Sequence, residues 1–133
     1  IKSDQFQYGR LRLFVGLRVL PPNVHRRSSV GIVDLSGIRD LVETIPIVSL
    51  QRILQKTTTV LRRELRGNDV IGRWNDNSFI IMLPNTNGAA AKTIFERIFQ
   101  SLSGQIELDE LNIVIDLAPQ IGGAEYSSGI STL

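Results

Sequence analysis

The sequence contains no cysteine and a single histidine, His25. The lack of cysteine excludes disulfides, thiolate nucleophiles and thiolate metal sites, and it is typical of a reducing compartment. His25 lies in a polar stretch without an evident second metal ligand, so its surroundings favour a solvated side chain. No apolar run approaches the roughly 18–20 residues of a membrane-spanning helix, and no secretory signal is visible. Since the first residue is Ile1, we expect the natural start to lie upstream.

Lysine is also scarce, with 3 lysines against 12 arginines, and the net charge is only +2. So small a charge argues against a general nucleic-acid or membrane surface, and we expect neither a nucleic acid polymer as partner nor direct membrane insertion of this segment. Arginine binds guanine edges and phosphates through two nitrogens, so the bias favours an anionic or purine ligand, unless it reflects lineage composition. With 133 residues, 42% of them apolar, we expect one domain with its own core. We expect its location to be cytoplasmic, either as a separate protein or as the cytoplasmic part of a membrane-associated one.

The apolar pattern predicts an α+β fold. Apolar residues alternate along Leu11–Val19, which predicts a half-buried strand, and a polar linker follows. From Val30 onward the order is βαββαβ, that of a ferredoxin-like antiparallel sheet with both helices on one face. We therefore assign residues 1–29 to an N-terminal strand and linker, which either extends the sheet edge or ends a preceding domain. Residues 30–133 form the main domain.

The individual elements follow from periodicity and from breaking residues. Ser36 is placed to cap a helix, and Pro46 interrupts or restarts that helix. Asn75–Ser78 predicts a tight turn, because Asn and Asp tolerate left-handed backbone. The predicted elements are the strand Val30–Val33, a helix from Ser36, the helix Ser49–Arg66 ended by Gly67, the strands Val70–Trp74 and Phe79–Leu83, the helix Ala89–Ser103 ended by Gly104, and strand segments at Leu111–Ile115 and Ile121–Tyr126.

Asp69–Pro84, D-V-I-G-R-W-N-D-N-S-F-I-I-M-L-P, resembles the centre of a GGDEF (diguanylate cyclase) domain, whose usual form is D-x-x-x-R-Y-G-G-D-E-F-x-x-x-L-P. Val30–Leu41, V-G-I-V-D-L-S-G-I-R-D-L, is similar to the first strand of that family and its D-x-D-x-F-K run, and Ile121–Ser131 resembles its S-I-G-V-A-x-Y strand and the loop after it. The resemblance covers residues 30–133 and implies the family's palm-like nucleotide-cyclase sheet. The family's opening motif is not recognisable in residues 1–29, and its closing helix is expected beyond Leu133, absent from this segment. The four signature positions are occupied by Asn75, Asp76, Asn77 and Ser78.

These replacements imply a degenerate active site with no catalytic residue, bound metal or cofactor. Condensing two GTP molecules needs metal ions, and hard cations need clustered carboxylates. Of the family's acidic positions only Asp34 is kept, because Ser36, Asn77 and Ser78 replace the others. The side chains of Asn75 and Asp76 also stand where the family's glycines let the backbone approach the nucleotide. The alternative for Asp34 is a turn residue that bonds nearby backbone N–H groups.

Arg66-Gly67-Asn68-Asp69 keeps the R-x-x-D pattern five residues before the turn, which in the family marks the inhibitory site for cyclic di-GMP. Arg97 stands at the position of the family's second arginine. Arginine can fork onto guanine O6 and N7, a carboxylate can accept from guanine N1–H, and guanidinium groups neutralise phosphates. The motif alone is common, since Arg73–Asp76 also matches it. The alternative is structural: Arg66 complements a helix dipole, Asp69 begins a strand and Arg97 faces solvent or a nearby carboxylate.

The sequence therefore predicts a non-catalytic receptor or regulatory domain of a bacterial signalling protein, with cyclic di-GMP as ligand. Degenerate family members of this kind often control exopolysaccharide export or biofilm formation. A second hypothesis is a ligand-free module for protein interaction or dimerisation, with another protein domain or a second copy as partner. A third is a regulator that binds GTP without hydrolysing it, which the side chains of Asn75 and Asp76 disfavour.

Overall fold

A computed structural model of the chain describes residues 5–8, 27–108 and 113–127. The predicted strand Leu11–Val19 and His25 lie outside this part of the chain. No helix of the described residues is long and apolar enough to cross a membrane. The described elements are β1 (Gln5–Tyr8), β2 (Arg27–Leu35), α1 (Ser36–Arg39), α2 (Ile47–Glu64), β3 (Val70–Asn75), β4 (Ser78–Leu83), α3 (Gly88–Leu102), β5 (Gln105–Leu108), β6 (Ile113–Asp116) and β7 (Pro119–Ser127).

Five strands form one sheet in the order β1-β7-β2-β4-β3, and every neighbouring pair is antiparallel. Without β1, the order β7-β2-β4-β3 is that of a ferredoxin-like βαββαβ unit, so the predicted α+β fold is confirmed. β1 lies beyond β7 at one edge, and β3 forms the other edge. β5 and β6 form a separate two-stranded sheet between α3 and β7.

The core lies between the helices and one face of the sheet. Alternate residues of β2 and β4 point into it, together with one stripe of α2 and one of α3. The central buried side chains are Val33, Leu35, Ile53, Leu61, Phe79, Ile81, Phe95, Ile98 and Ile121. Helix α3 approaches β2 so closely that a Cβ atom on Gly31 would lie 2.4 Å from Cζ of Phe95, so only glycine fits there without a shift.

The ends of the first helices differ from the prediction. α2 begins at Ile47, directly after Pro46, because proline pre-sets the backbone for a first turn. It ends at Glu64, and Leu65 is already extended, so Gly67 lies in the turn beyond the helix. The predicted cap at Ser36 is wrong: its hydroxyl donates to the carbonyl oxygen of Ala118 at 2.7 Å. The end of α3 agrees better, since Gly104 has a φ of 101°.

Two strands near the end of the described chain were predicted incompletely. The apolar segment Leu111–Ile115 contributes to β6, but its partner β5 has no clear signal in the sequence. Pro119, predicted as a break or bulge, is the first residue of β7 and pairs with Leu35 of β2. A proline can begin a strand because its missing N–H lies at the end of the ladder.

Candidate functional site

The hairpin between β3 and β4 carries the first candidate site, which we call the hairpin cluster: Asp34, Arg39, Asn77 and Ser78. Asp34 is near the end of β2 and pairs with Ser78 at the start of β4, so the sheet register brings it to the hairpin turn. Only 5% of Asp34 is exposed. Its Oδ1 accepts hydrogen bonds from Asn77 Nδ2 at 2.7 Å and from Ser78 Oγ at 2.6 Å. Its Oδ2 accepts from the guanidinium of Arg39.

These contacts correct the structural alternative for Asp34. That interpretation expected backbone N–H groups as partners, but the donors among the described residues are three side chains, two of them from the hairpin. The carboxylate is therefore bonded to a cation, an amide and a hydroxyl. This donor set does not fit a two-metal site, because it supplies one carboxylate and the Arg39 guanidinium lies against it. Across the described ranges, no three histidine, aspartate or glutamate side chains are grouped to hold a metal ion.

The turn of the hairpin is shorter than the predicted Asn75–Ser78. Asn75 ends β3 and Ser78 begins β4, so only Asp76 and Asn77 form the turn. Asn75 Oδ1 accepts from the backbone N–H of Asn77 at 3.0 Å, an Asx-type bond that holds the turn. A register shift between Arg73 and Asn75 adds a bulge just before it. Asp76 is exposed at the tip.

Arg66–Asp69 forms a closed turn directly after α2, which we call the arginine turn. Asp69 Oδ2 accepts from the backbone N–H of Arg66 at 2.8 Å, and Oδ1 lies 3.3 Å from Arg66 Nη2. The backbone N–H of Asp69 donates to the Arg66 carbonyl at 3.1 Å. The Asp69 side chain is fully buried, whereas 53% of the Arg66 side chain is exposed. The buried carboxylate therefore fixes both the backbone and the side chain of Arg66.

The guanidinium of Arg66 also joins this turn to the loop before α3. Its Nη2 donates to the carbonyl oxygen of Pro84 at 3.3 Å and to Thr86 Oγ1 at 2.5 Å. Thr86 is itself buried. All these contacts use Nη2, and within the described residues no partner contacts Nε or Nη1 of Arg66. The N–H groups of Nε and Nη1 are thus left for other acceptors.

Arg97 lies on α3 beside the last turn of α2. Its Nε is 3.4 Å from Glu64 Oε1, and Ser101 Oγ donates to Glu64 Oε2 at 3.1 Å. Just over half of the Arg97 side chain is exposed. Glu64 precedes Arg66 by two residues, so Arg97 belongs to the same end of α2 as the arginine turn. No direct bond between Arg97 and either Arg66 or Asp69 is present in the described ranges.

The structure therefore brings Arg66 and Asp69 into direct contact and places Arg97 nearby through Glu64. Asp34, Asn77 and Ser78 are joined at the hairpin, and Asn75 and Asp76 lie in or beside its turn. Sequence reasoning missed Arg39, Glu64 and Thr86. Arg39 could have been found, because it follows Asp34 by five residues, at the lysine position of the family's D-x-D-x-F-K run. Nothing in the sequence distinguishes Glu64 or Thr86 as partners.

The ferredoxin-like sheet, with the β3–β4 hairpin beside the end of β2, has the fold of the palm-like nucleotide-cyclase class. The family model for the diguanylate cyclase GGDEF domain matches residues 50–132. The chain belongs to the GGDEF family.

Several proteins resemble the chain in sequence or in fold. The GGDEF domain of FimX from Pseudomonas aeruginosa is 14% identical with a TM-score of 0.73, over 84% of this chain and 68% of that one. The GGDEF domain of DgcB from Caulobacter crescentus, solved in complex with c-di-GMP, is 17% identical with a TM-score of 0.62, over 77% of this chain and 61% of that one. The uncharacterized protein YtrP of Bacillus subtilis is 25% identical over 99 residues, 74% of this chain. The chain spans only 17% of the length of YtrP.

Proposed function

We propose that this domain is a non-catalytic receptor for cyclic di-GMP that binds the dinucleotide at Arg66, Asp69 and Arg97. The observation that carries the proposal is the arginine turn, in which a buried carboxylate holds a half-exposed guanidinium whose Nε and Nη1 have no partner among the described residues. A related domain, that of DgcB, has been solved with c-di-GMP bound. Cyclic di-GMP carries two guanines and two phosphates, which are the groups that arginine binds bidentately.

We propose a different role for each of the three residues. Arg66 directs Nε and Nη1 at the guanine or phosphate acceptors of the ligand. Asp69 acts as a positioning residue, because both of its oxygens already accept from Arg66 and its side chain is buried. Arg97 adds a second positive charge from α3. About half of the Arg97 side chain is exposed, so its ion pair with Glu64 contributes little free energy. Replacing Glu64 by a phosphate of the ligand therefore costs little.

Arg97→Ala is expected to weaken cyclic di-GMP binding by roughly 5- to 30-fold, since a charge-assisted hydrogen bond contributes about 1–2 kcal/mol at such an exposed site. Isothermal titration calorimetry on the wild-type chain and on the variant measures the change. Arg63→Ala is the matched control, because Arg63 is also an exposed arginine but lies on helix α2. Absence of binding heat for the wild-type chain at high ligand concentration contradicts the receptor proposal and favours the protein-interaction module.

The proposed lack of cyclase activity is supported by the hairpin cluster. Asp34 is held by Arg39, Asn77 and Ser78, and those contacts occupy the carboxylate that a metal ion would need. We expect no cyclic di-GMP to form from GTP with Mg²⁺ or Mn²⁺, as followed by chromatography of the reaction products. An active GGDEF domain assayed in parallel is the control. Product above the no-enzyme background contradicts this part of the proposal.

The wider role that we propose is regulation within a bacterial signalling protein in the cytoplasm. The process that it regulates is exopolysaccharide export or biofilm formation, by analogy with degenerate family members that keep the R-x-x-D pattern. Another domain or a second copy of the chain receives the signal. Support for a protein partner comes from a relative, the diguanylate cyclase SiaD of Pseudomonas aeruginosa, which was solved in complex with its activator SiaC.

A further inference from the structure

Strand β3 forms a free edge of the five-stranded sheet in the described part of the chain. An edge strand directs every second pair of backbone N–H and C=O groups away from the sheet, which makes it a template for another strand. Two large apolar side chains of β3 are exposed, Val70 at 51% and Trp74 at 57%. The edge carries no lysine or proline, the residues that commonly block strand addition.

A groove of about 880 Å³ lies between this edge and helix α2. Its floor contains the apolar side chains of Leu54, Ile71 and Phe79, and its walls are amides, hydroxyls and two arginines. None of its ten lining residues is acidic: Gln51, Leu54, Gln55, Thr58, Thr59, Arg62, Ile71, Gly72, Arg73 and Phe79.

The two arginines make the groove positive. Arg73 lies with its Cζ 5.6 Å from the centroid of the Phe79 ring, and its Nε and Nη2 donate to the Asn75 carbonyl. Arg62 Nη1 is 3.5 Å from the carbonyl oxygen of Asp69. Both contacts are to neutral groups, and no carboxylate of the described ranges is paired with either arginine. Their charges are therefore available to an acidic occupant.

The dimensions of the groove match a short strand. Along α2 it extends from Gln51 to Arg62, which is about 16 Å at 1.5 Å per residue. The six residues of β3 span about 17–20 Å. An extended segment of about five or six residues can therefore lie beside β3 over the whole length of the groove.

We propose that β3 and α2 bind an extended acidic peptide, which adds to the sheet as a sixth strand beside β3. The backbone of the peptide pairs with the free edge of β3, as in other cases of recognition by strand addition. Its acidic side chains face α2, where they meet Arg62 and Arg73. Its alternate side chains point to the opposite face of the sheet, where exposed Val70 favours apolar residues. None of the lining residues is Arg66, Asp69 or Arg97, although Arg62 contacts the backbone carbonyl of Asp69, so the peptide groove adjoins the proposed nucleotide site without sharing a residue with it.

Trp74 provides the readout, since it is the only tryptophan of the chain and lies on the strand that receives the peptide. The probe is a capped six-residue peptide of alternating glutamate and valine. We expect a saturable change in Trp74 emission as the peptide is added, and at least roughly tenfold weaker binding for Arg73→Glu. Arg63→Glu, on α2 but outside the groove, is expected to bind like the wild type. A circular dichroism spectrum of each variant checks that the fold is kept.

N-methylation of the peptide distinguishes strand addition from simple charge attraction. In a strand, residues whose side chains share one face also direct their N–H groups to the same side. Methylating the backbone nitrogens of the glutamates alone, or of the valines alone, is expected to abolish binding in one case and leave it nearly unchanged in the other. Equal effects of both sets, equal binding of a lysine–valine peptide, or no emission change up to about 1 mM peptide overturns the proposal.

Discussion

Arg66→Ala is expected to lower the affinity for cyclic di-GMP by roughly 30- to 1,000-fold, the largest effect of any single side chain in the proposed site. The variant loses the charge-assisted hydrogen bonds from Nε and Nη1 to guanine or phosphate, which together contribute about 2–4 kcal/mol. It also leaves the buried carboxylate of Asp69 without its guanidinium partner, although the backbone N–H of Arg66 remains bonded to it. Calorimetry gives the affinity, and urea unfolding shows whether the variant remains folded under the same conditions.

Arg66→Lys separates charge from geometry. Lysine keeps the positive charge but lacks the fixed, planar N–H donors of arginine. The affinity of the Arg66→Lys variant for cyclic di-GMP is therefore expected to fall between that of the wild type and that of Arg66→Ala. Arg63→Ala is again the control, with affinity within about twofold of the wild type, since it lies outside the arginine turn. A folded Arg66→Ala variant that binds as tightly as the wild type excludes the arginine turn as the binding site.

Asp34→Ala is expected to reduce the free energy of unfolding by about 2–4 kcal/mol. The change removes the acceptor of three side-chain hydrogen bonds and leaves Ser78, which is buried, without that partner. The exposed position of Arg39 limits the ionic part of the loss, because water can solvate its guanidinium. Urea denaturation of the wild type and the variant, fitted with one common m-value, measures the difference in the free energy of unfolding.

Asp76→Ala is the matched control for that experiment. Asp76 is also a carboxylate of the β3–β4 hairpin, but it is exposed at the tip of the turn, so its removal is expected to change stability by less than about 0.5 kcal/mol. Asp34→Asn should lie between the two variants, since the amide oxygen can still accept one hydrogen bond. A loss below about 1 kcal/mol for Asp34→Ala contradicts a structural role for the hairpin cluster.

Most of the fold was predictable because the helices and the hairpin strands carry strong periodic patterns. The stripe of α2 that predicts burial, from Leu50 to Leu61, is the stripe that packs on the sheet. β5 was missed because it is only four residues long and its pairing with β6 depends on the register between the two strands rather than on a pattern within either. The end of α2 was placed too late because Gly67 suggested a cap, whereas the chain leaves the helix at Leu65.

The candidate site was predictable only where its residues are neighbours in sequence. Arg66 and Asp69 are three residues apart, so a turn after a helix brings them together whatever the rest of the fold does. Thr86 reaches Arg66 across 20 residues and Ser78 reaches Asp34 across 44, and these contacts depend on sheet register. That Asp34 is bonded by side chains rather than by its own turn could therefore be seen only in the folded chain.

The most direct test of the account is the two-dimensional ¹H–¹⁵N spectrum of the chain, including arginine Nε–H signals, titrated with cyclic di-GMP. The account predicts saturable shifts that are largest for the backbone of Arg66–Asp69 and for the Nε–H of Arg66, with smaller shifts for Arg97. The hairpin residues Asn75–Ser78 should change little, because Asp34 is already bonded to Asn77 and Ser78. A spectrum that does not change, or one whose largest shifts fall at Asn75–Ser78, contradicts a receptor site at the arginine turn.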